Sequence, residues 1–133
     1  GAAFSSGSAR IRDREPSNAD LQRFTAKTLL TIGLLQDTQG KLDDALATQQ
    51  QVLAILERLA AADPENAEQQ AEVAGTHGAV AILLVKLGRN DEARERFRKA
   101  RDLIAPLRER APGNAKWRDL GEKFDNIIGL LPP

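Results

Sequence analysis

Pro64-Glu65-Asn66-Ala67 decides the fold of this chain, because it is the middle one of three copies. Pro16-Ser17-Asn18-Ala19 precedes it and Pro112-Gly113-Asn114-Ala115 follows, which sets Pro16, Pro64 and Pro112 on a period of 48 residues. Gly40 and Gly88 keep the same register, opening Gly40-Lys41-Leu42-Asp43-Asp44-Ala45 and Gly88-Arg89-Asn90-Asp91-Glu92-Ala93. Self-similarity at a fixed period of this size marks a stacked array, in which each unit buries its apolar face on its neighbours. Arrays of this kind present surfaces more than they host reactions.

The markers divide the chain into a segment of residues 1–15, a first repeat 16–63, a second repeat 64–111 and a half repeat 112–133. The start, Gly1-Ala2-Ala3-Phe4-Ser5-Ser6-Gly7-Ser8, is small and polar and reads as a flexible lead-in, a linker or a tag. In the first repeat Leu21, Phe24, Thr28, Ile32 and Leu35 recur at steps of three and four, the spacing of one helix face. Ser17 or Asn18 is placed to cap that helix, and Gly40 to end it in the left-handed conformation. A second helix carries Ala45, Gln49, Val52, Leu56, Leu59 and Ala60 and stops before Asp63-Pro64.

The second repeat follows the same plan. Ala71, Ala74, Gly78 and Ala81 mark one face of its first helix, and Ala93, Phe97, Ala100, Ile104, Leu107 and Ala111 one face of its second. Pro106 lies inside that second helix, where a kink near residues 102–106 is expected because proline lacks an amide donor and crowds the preceding turn. The half repeat holds one helix with Trp117, Leu120, Phe124, Ile127, Ile128 and Leu131 on its apolar face, as a terminal cap would. The expected fold is an all-α solenoid of antiparallel helix hairpins, five helices in all.

Composition agrees with this plan. Only 4% of residues are aromatic, and Ala and Leu dominate the apolar share, which favours helix over sheet. Lys and Arg balance Asp and Glu at 19 each, so no whole-chain field draws the protein to nucleic acid or to an anionic membrane. The absence of cysteine excludes disulfides, thiolate metal sites and thiol catalysis. No apolar run approaches the roughly 18 residues that suggest a membrane span. Methionine is also absent, even at position 1, so the chain reads as a processed product or a piece of a longer protein.

Aligned on Gly40 and Gly88, the repeats resemble the tetratricopeptide family, whose pattern is a large residue, Leu-Gly and Tyr in the first helix, then Ala, Phe and a closing Pro. The first repeat supplies Leu29, Ile32-Gly33, Gln36, Ala45, Gln49 and Pro64. The second supplies His77, Val80-Ala81, Leu84, Ala93, Phe97, Ala100 and Pro112, and the third Asp125, Ile128-Gly129 and Pro132. The usual unit is about 34 residues. The period here is longer by about two helical turns in each helix, as in long-helix variants of bacterial multidomain proteins. The resemblance implies a protein-interaction scaffold. It also implies that the small residues Gly33, Ala81 and Gly129 recur where paired helices approach, and that the first helices line a concave surface.

The residues offer little to an enzyme. The chain has one histidine and no tyrosine, so a nucleophile and base would have to come from His77 or from carboxylates. His77 stands where a packing residue is expected, and no cofactor or metal is called for. Asp43-Asp44 and Asp91-Glu92 fall in the first turns of second helices, where negative charge complements the helix dipole. The basic run Arg89, Arg94, Arg96, Arg98, Lys99, Arg101, Arg108 and Arg110 is interleaved with Asp91, Glu92, Glu95, Asp102 and Glu109. Pairs such as Glu92–Arg96 and Glu95–Lys99 are expected to stabilise a solvated face. The one aromatic residue in this run, Phe97, belongs to the apolar face, so nucleic-acid binding is a remote alternative.

The second half of every first helix is apolar nearly all round: Thr28 to Leu35, Ala79 to Val85, and Asn126 to Leu131. That exceeds what one buried face requires. By the resemblance Leu30, Leu34, Ile82, Val85 and Leu130 project into the concave groove, with Lys27, Lys86 and Lys123 nearby. Gly75 and Gly78 thin the middle helix, either to admit a ligand segment or to allow close helix packing. A contiguous apolar stripe points to an interaction site for a peptide or helix. A second copy of the chain is the alternative occupant. The carboxylate-clamp mode of the family is not expected, because its Lys and Asn positions fall on Leu30 and Leu34.

Overall fold

The computed structural model describes residues 17–132. The expectations for residues 1–15 lie outside the described residues. Five helices follow one another: α1 (Asn18–Thr38), α2 (Leu42–Ala62), α3 (Ala67–Lys86), α4 (Asn90–Arg110) and α5 (Ala115–Leu130). Each packs on the next in sequence, and α3 also touches α5. The described residues are all-α, a stack of helix hairpins.

The helix ends lie where the 48-residue signals set them. Ser17 caps α1 through a reciprocal pair, its hydroxyl accepting from the Asp20 amide at 3.1 Å while the Asp20 carboxylate accepts from the Ser17 amide at 3.2 Å. Asn66 and Asn114 cap α3 and α5 by accepting from the amides of Gln69 and Trp117. Gly40 and Gly88 both sit at φ +77°, the left-handed conformation that glycine adopts without a Cβ penalty. Around each, two amides fold back onto carbonyls of the helix end: Gly40 to Asp37 and Lys41 to Gln36, then Gly88 to Val85 and Arg89 to Leu84. α4 runs through Pro106 without a break.

The main core gathers Ala74, Val80, Ala81, Leu83 and Leu84 of α3 with Ala93, Phe97, Ala100, Ile104 and Leu107 of α4 and Phe124 of α5. Trp117, Leu120, Ile127, Ile128 and Leu131 are half-buried against it. A smaller cluster holds α1 to α2 through Ala26, Val52, Ile55 and Leu59. Gly33 lets these two helices close, since a Cβ there would meet Gln49 Nε2 at 3.2 Å and Thr48 Cγ2 at 3.4 Å. A third cluster, Leu53, Ala60 and Val73, seats α3 on α2.

One expectation is corrected here. The stripe Leu21, Phe24, Thr28, Ile32 and Leu35 is a true helix face, but it is not the buried one: Leu21 is 53% exposed, Phe24 70%, Ile32 41% and Leu35 56%. α1 turns Ala26, Leu29, Gly33 and Gln36 to α2 instead. Small residues win that side because the hairpin closes tightly at Gly33, while the larger side chains are left on a face with no neighbour among the described residues.

The ion pairs on α4 also differ from the expected i,i+4 set. Arg89 and Arg94 pair three residues away, with Glu92 and Asp91. Arg101 and Arg108 reach across to Asp125 of α5, at 4.0 and 3.9 Å. The basic residues of this face are therefore partly committed to holding α5. No described helix is long and apolar enough to cross a membrane.

Candidate partner groove

α1 and α3 run side by side without close packing, and α2 lies beneath both. The gap between them is an open cleft of about 450 Å³. Lys27 and Leu30 line it from α1, Gly75, Thr76 and Ala79 from α3, and Gln49, Val52 and Leu56 form its floor. Arg23 and Glu72 stand at its polar margin. At one point the two walls are tied, where Lys86 donates to both Asp37 carboxylate oxygens at 3.0 and 3.1 Å.

The next step of the array differs. Between α3 and α5 the position of Leu30 is taken by Gly78, and Phe124 fills the space: a Cβ on Gly78 would come within 2.7 Å of the Phe124 ring. The residue 48 places before Phe124 is Thr76, too small to bridge from α3 to α1. At this level a ring against a glycine fills the α3–α5 step, and a threonine facing a leucine leaves the α1–α3 step open.

The expected partner-binding residues therefore separate. Lys27, Leu30 and Gly75 line the cleft. Leu34 (57% exposed), Ile82 (37%) and Val85 (36%) are exposed on the cleft's two wall helices. Gly78 is buried and serves the α3–α5 contact, the packing alternative of the two read for it. Lys123 and Leu130 are exposed on α5 and line neither the cleft nor a smaller hollow of about 310 Å³ between α3 and α5, which shares Glu72 and Gly75 with the cleft and reaches Trp117 and Leu120.

Sequence reasoning missed Gln49 as a groove residue. It sits on the cleft floor, 4% exposed, and its Oε1 is buried with no hydrogen-bond partner among the described residues. A glutamine on an otherwise apolar helix face was the available signal, since a buried amide needs partners.

His77 is buried at the base of a different hollow of about 550 Å³, between α2 and α4, with Glu57, Lys99 and Asp102 around the rim. Its Nδ1 lies 3.4 Å from the Arg96 guanidinium, which can only donate, so Nδ1 is the acceptor. Burial holds the imidazole below its ordinary pKa of 6.5; nearby Glu57 opposes this, and Arg96 and Lys99 reinforce it. Among the described residues no three His, Asp or Glu side chains converge as metal ligands. No family model, curated protein or solved structure matches this chain.

Proposed function

We propose that this protein is an interaction scaffold of the tetratricopeptide type that captures a peptide or helix in the cleft between α1 and α3. The observation that carries this reading is the open apolar cleft, lined by Leu30, Val52, Leu56 and Ala79, with exposed Leu34, Ile82 and Val85 on its wall helices. A surface of this kind gains free energy when an apolar side chain enters it, at roughly 25 cal/mol per Å² of apolar area removed from water. Lys27, Arg23 and Glu72 set the polarity of the margins. The 48-residue repeat and its likeness to the tetratricopeptide pattern support the same reading.

Selection from a displayed peptide library tests it. Peptides recovered on the wild-type protein are titrated by calorimetry against Leu30→Asp, which lines the cleft, and Leu34→Asp beside it, both at exposed positions. Both variants are expected to keep their helical circular dichroism and to lose binding at least tenfold. Retained affinity in both variants counts against the cleft as the binding site.

A further inference from the structure

The uncovered face of α1 is a second surface, distinct from the cleft. Counted forward 48 residues, Leu21, Thr25, Thr28, Ile32 and Leu35 correspond to Gln69, Val73, Thr76, Val80 and Leu83 of α3, all of which are buried. At least one of these, Val73, packs on α2 through Leu53 and Ala60. The repeat thus gives α1 a face whose counterpart is covered by other helices, and nothing described covers it.

Three features make that face suited to burial. No charged residue interrupts it, since Leu21, Phe24, Thr25, Thr28, Thr31, Ile32 and Leu35 occupy one arc while Lys27 and Arg23 turn to the cleft. Its hydroxyls are already bonded within the helix: Thr25, Thr28 and Thr31 donate to the carbonyls of Leu21, Phe24 and Lys27 at 2.9, 3.0 and 3.2 Å. Covering them orphans no donor. Phe24 is 70% exposed at the position where α3 carries an exposed glutamate, Glu72, so the repeat itself does not call for an aromatic ring there.

The order of the stripe identifies the occupant. Its large residues are symmetric about Thr28, with Leu21 and Leu35 seven places to either side and Phe24 and Ile32 four places to either side. An antiparallel copy of the same helix therefore sets Leu21 against Leu35, Phe24 against Ile32, and Thr28 against itself on a two-fold axis. Such a self-complementary patch is what an isologous dimer requires. The chain's own first residues match poorly: 48 places before Leu53, Leu56 and Ala60, which seat α3, stand Ser5, Ser8 and Arg12.

We propose that two copies of this chain pair through the outer faces of α1, antiparallel, with Thr28 on the axis. The apolar stripe is about 21 Å long at 1.5 Å per residue, which places the contact among the smaller interfaces and its affinity in the weaker range.

Sedimentation velocity over roughly 1–500 µM, a range suited to a weak interface, should show a dimer of the wild type. Thr28→Arg, at an exposed position, should restore the monomer mass by setting two cations against each other while leaving the helical signal intact. Because the chain has no cysteine, Thr28→Cys alone should form a disulfide-linked dimer under a thiol oxidant. Leu21→Cys should cross-link only when mixed with Leu35→Cys. A wild type that stays monomeric overturns the proposal, and a bridge within one chain between Phe4→Cys and Thr28→Cys would then assign the face to residues 1–15. A dimer lost in Leu34→Asp but retained in Thr28→Arg also overturns it and moves self-association into the cleft.

Discussion

α1 and α3 occupy equivalent places in successive repeats, yet α1 buries only Ala26 and Gly33, whereas α3 buries ten residues along its length. Position by position they can be read against each other: Leu29 with His77, Leu30 with Gly78, Ile32 with Val80, Gly33 with Ala81. The difference is one of neighbours. α3 is enclosed by α2, α4 and α5, while among the described helices α1 packs on α2 alone. A residue type therefore does not determine its own burial. The stack determines it, and α1, where the described stack starts, keeps two apolar faces that no described residue covers: one toward the cleft and one outward.

Exchanging charge into the two helices at one register position gives the largest expected contrast. Val80 is fully buried and Ile32 is 41% exposed. Val80→Asp places an unpaired carboxylate in the core and should cost at least about 3 kcal/mol. Ile32→Asp, assayed at low protein concentration, should cost less than about 1 kcal/mol. Urea denaturation followed by circular dichroism measures both. Equal losses would mean that α1's outer face is covered within one chain, and the comparison would fail.

A middle-sized effect separates Gly78 from Leu30. Gly78→Leu puts α1's residue into α3, but the first added atom already falls within 2.7 Å of Phe124 Cε1. The ring must move, at about 1–3 kcal/mol, and α5 should loosen from the stack. Faster amide exchange in α5 than in α4 would report it. Gly75→Ala is the control: nothing lies within 4 Å of its added Cβ, so helix propensity alone should stabilise the protein by roughly 0.5–1 kcal/mol. If Gly78→Leu leaves α5 protected, the Phe124 contact at Gly78 is not what holds α5 to α3.

These contrasts also show which parts of the structure were legible in the sequence. Helix ends were, because capping and left-handed termination are local: Ser17, Asn66 and Asn114 at the starts, Gly40 and Gly88 at the ends. The buried face of α4 was legible too, since Ala93, Phe97, Ala100, Ile104 and Leu107 form one strong stripe on an otherwise charged helix. The orientation of α1 was not. Its periodicity marks a large-residue face, but the side that packs is made of Ala26, Leu29, Gly33 and Gln36, whose weak apolar signal reflects a close hairpin. Reading α1 through α3's register would have placed Ile32 and Leu35 on the side turned away from α2. For the groove, Lys27, Leu30 and Gly75 were found by repeat position, whereas the Phe124–Gly78 closure depends on a contact between helices 46 residues apart, which periodicity within a helix does not report.

The smallest expected effect distinguishes Leu29 from His77, and it appears as a pH dependence. His77 is 5% exposed, and its imidazole is held below the ordinary value of 6.5 chiefly by burial. Above that value the ring is neutral in both the folded and unfolded chains, and it contributes no pH dependence. As the pH falls through 6.5 the unfolded chain takes up a proton that the folded chain refuses, so stability declines until the lowered folded pKa is reached. His77→Leu gives α3 the residue that α1 already has at this position and removes the titrating group. Urea midpoints for the wild type should therefore fall between pH 7.5 and 5.5, while those of His77→Leu stay level over the same span. A wild type as flat as the variant would mean that water reaches the His77 ring, and that α3 is enclosed less completely than its packing against α2 and α4 requires.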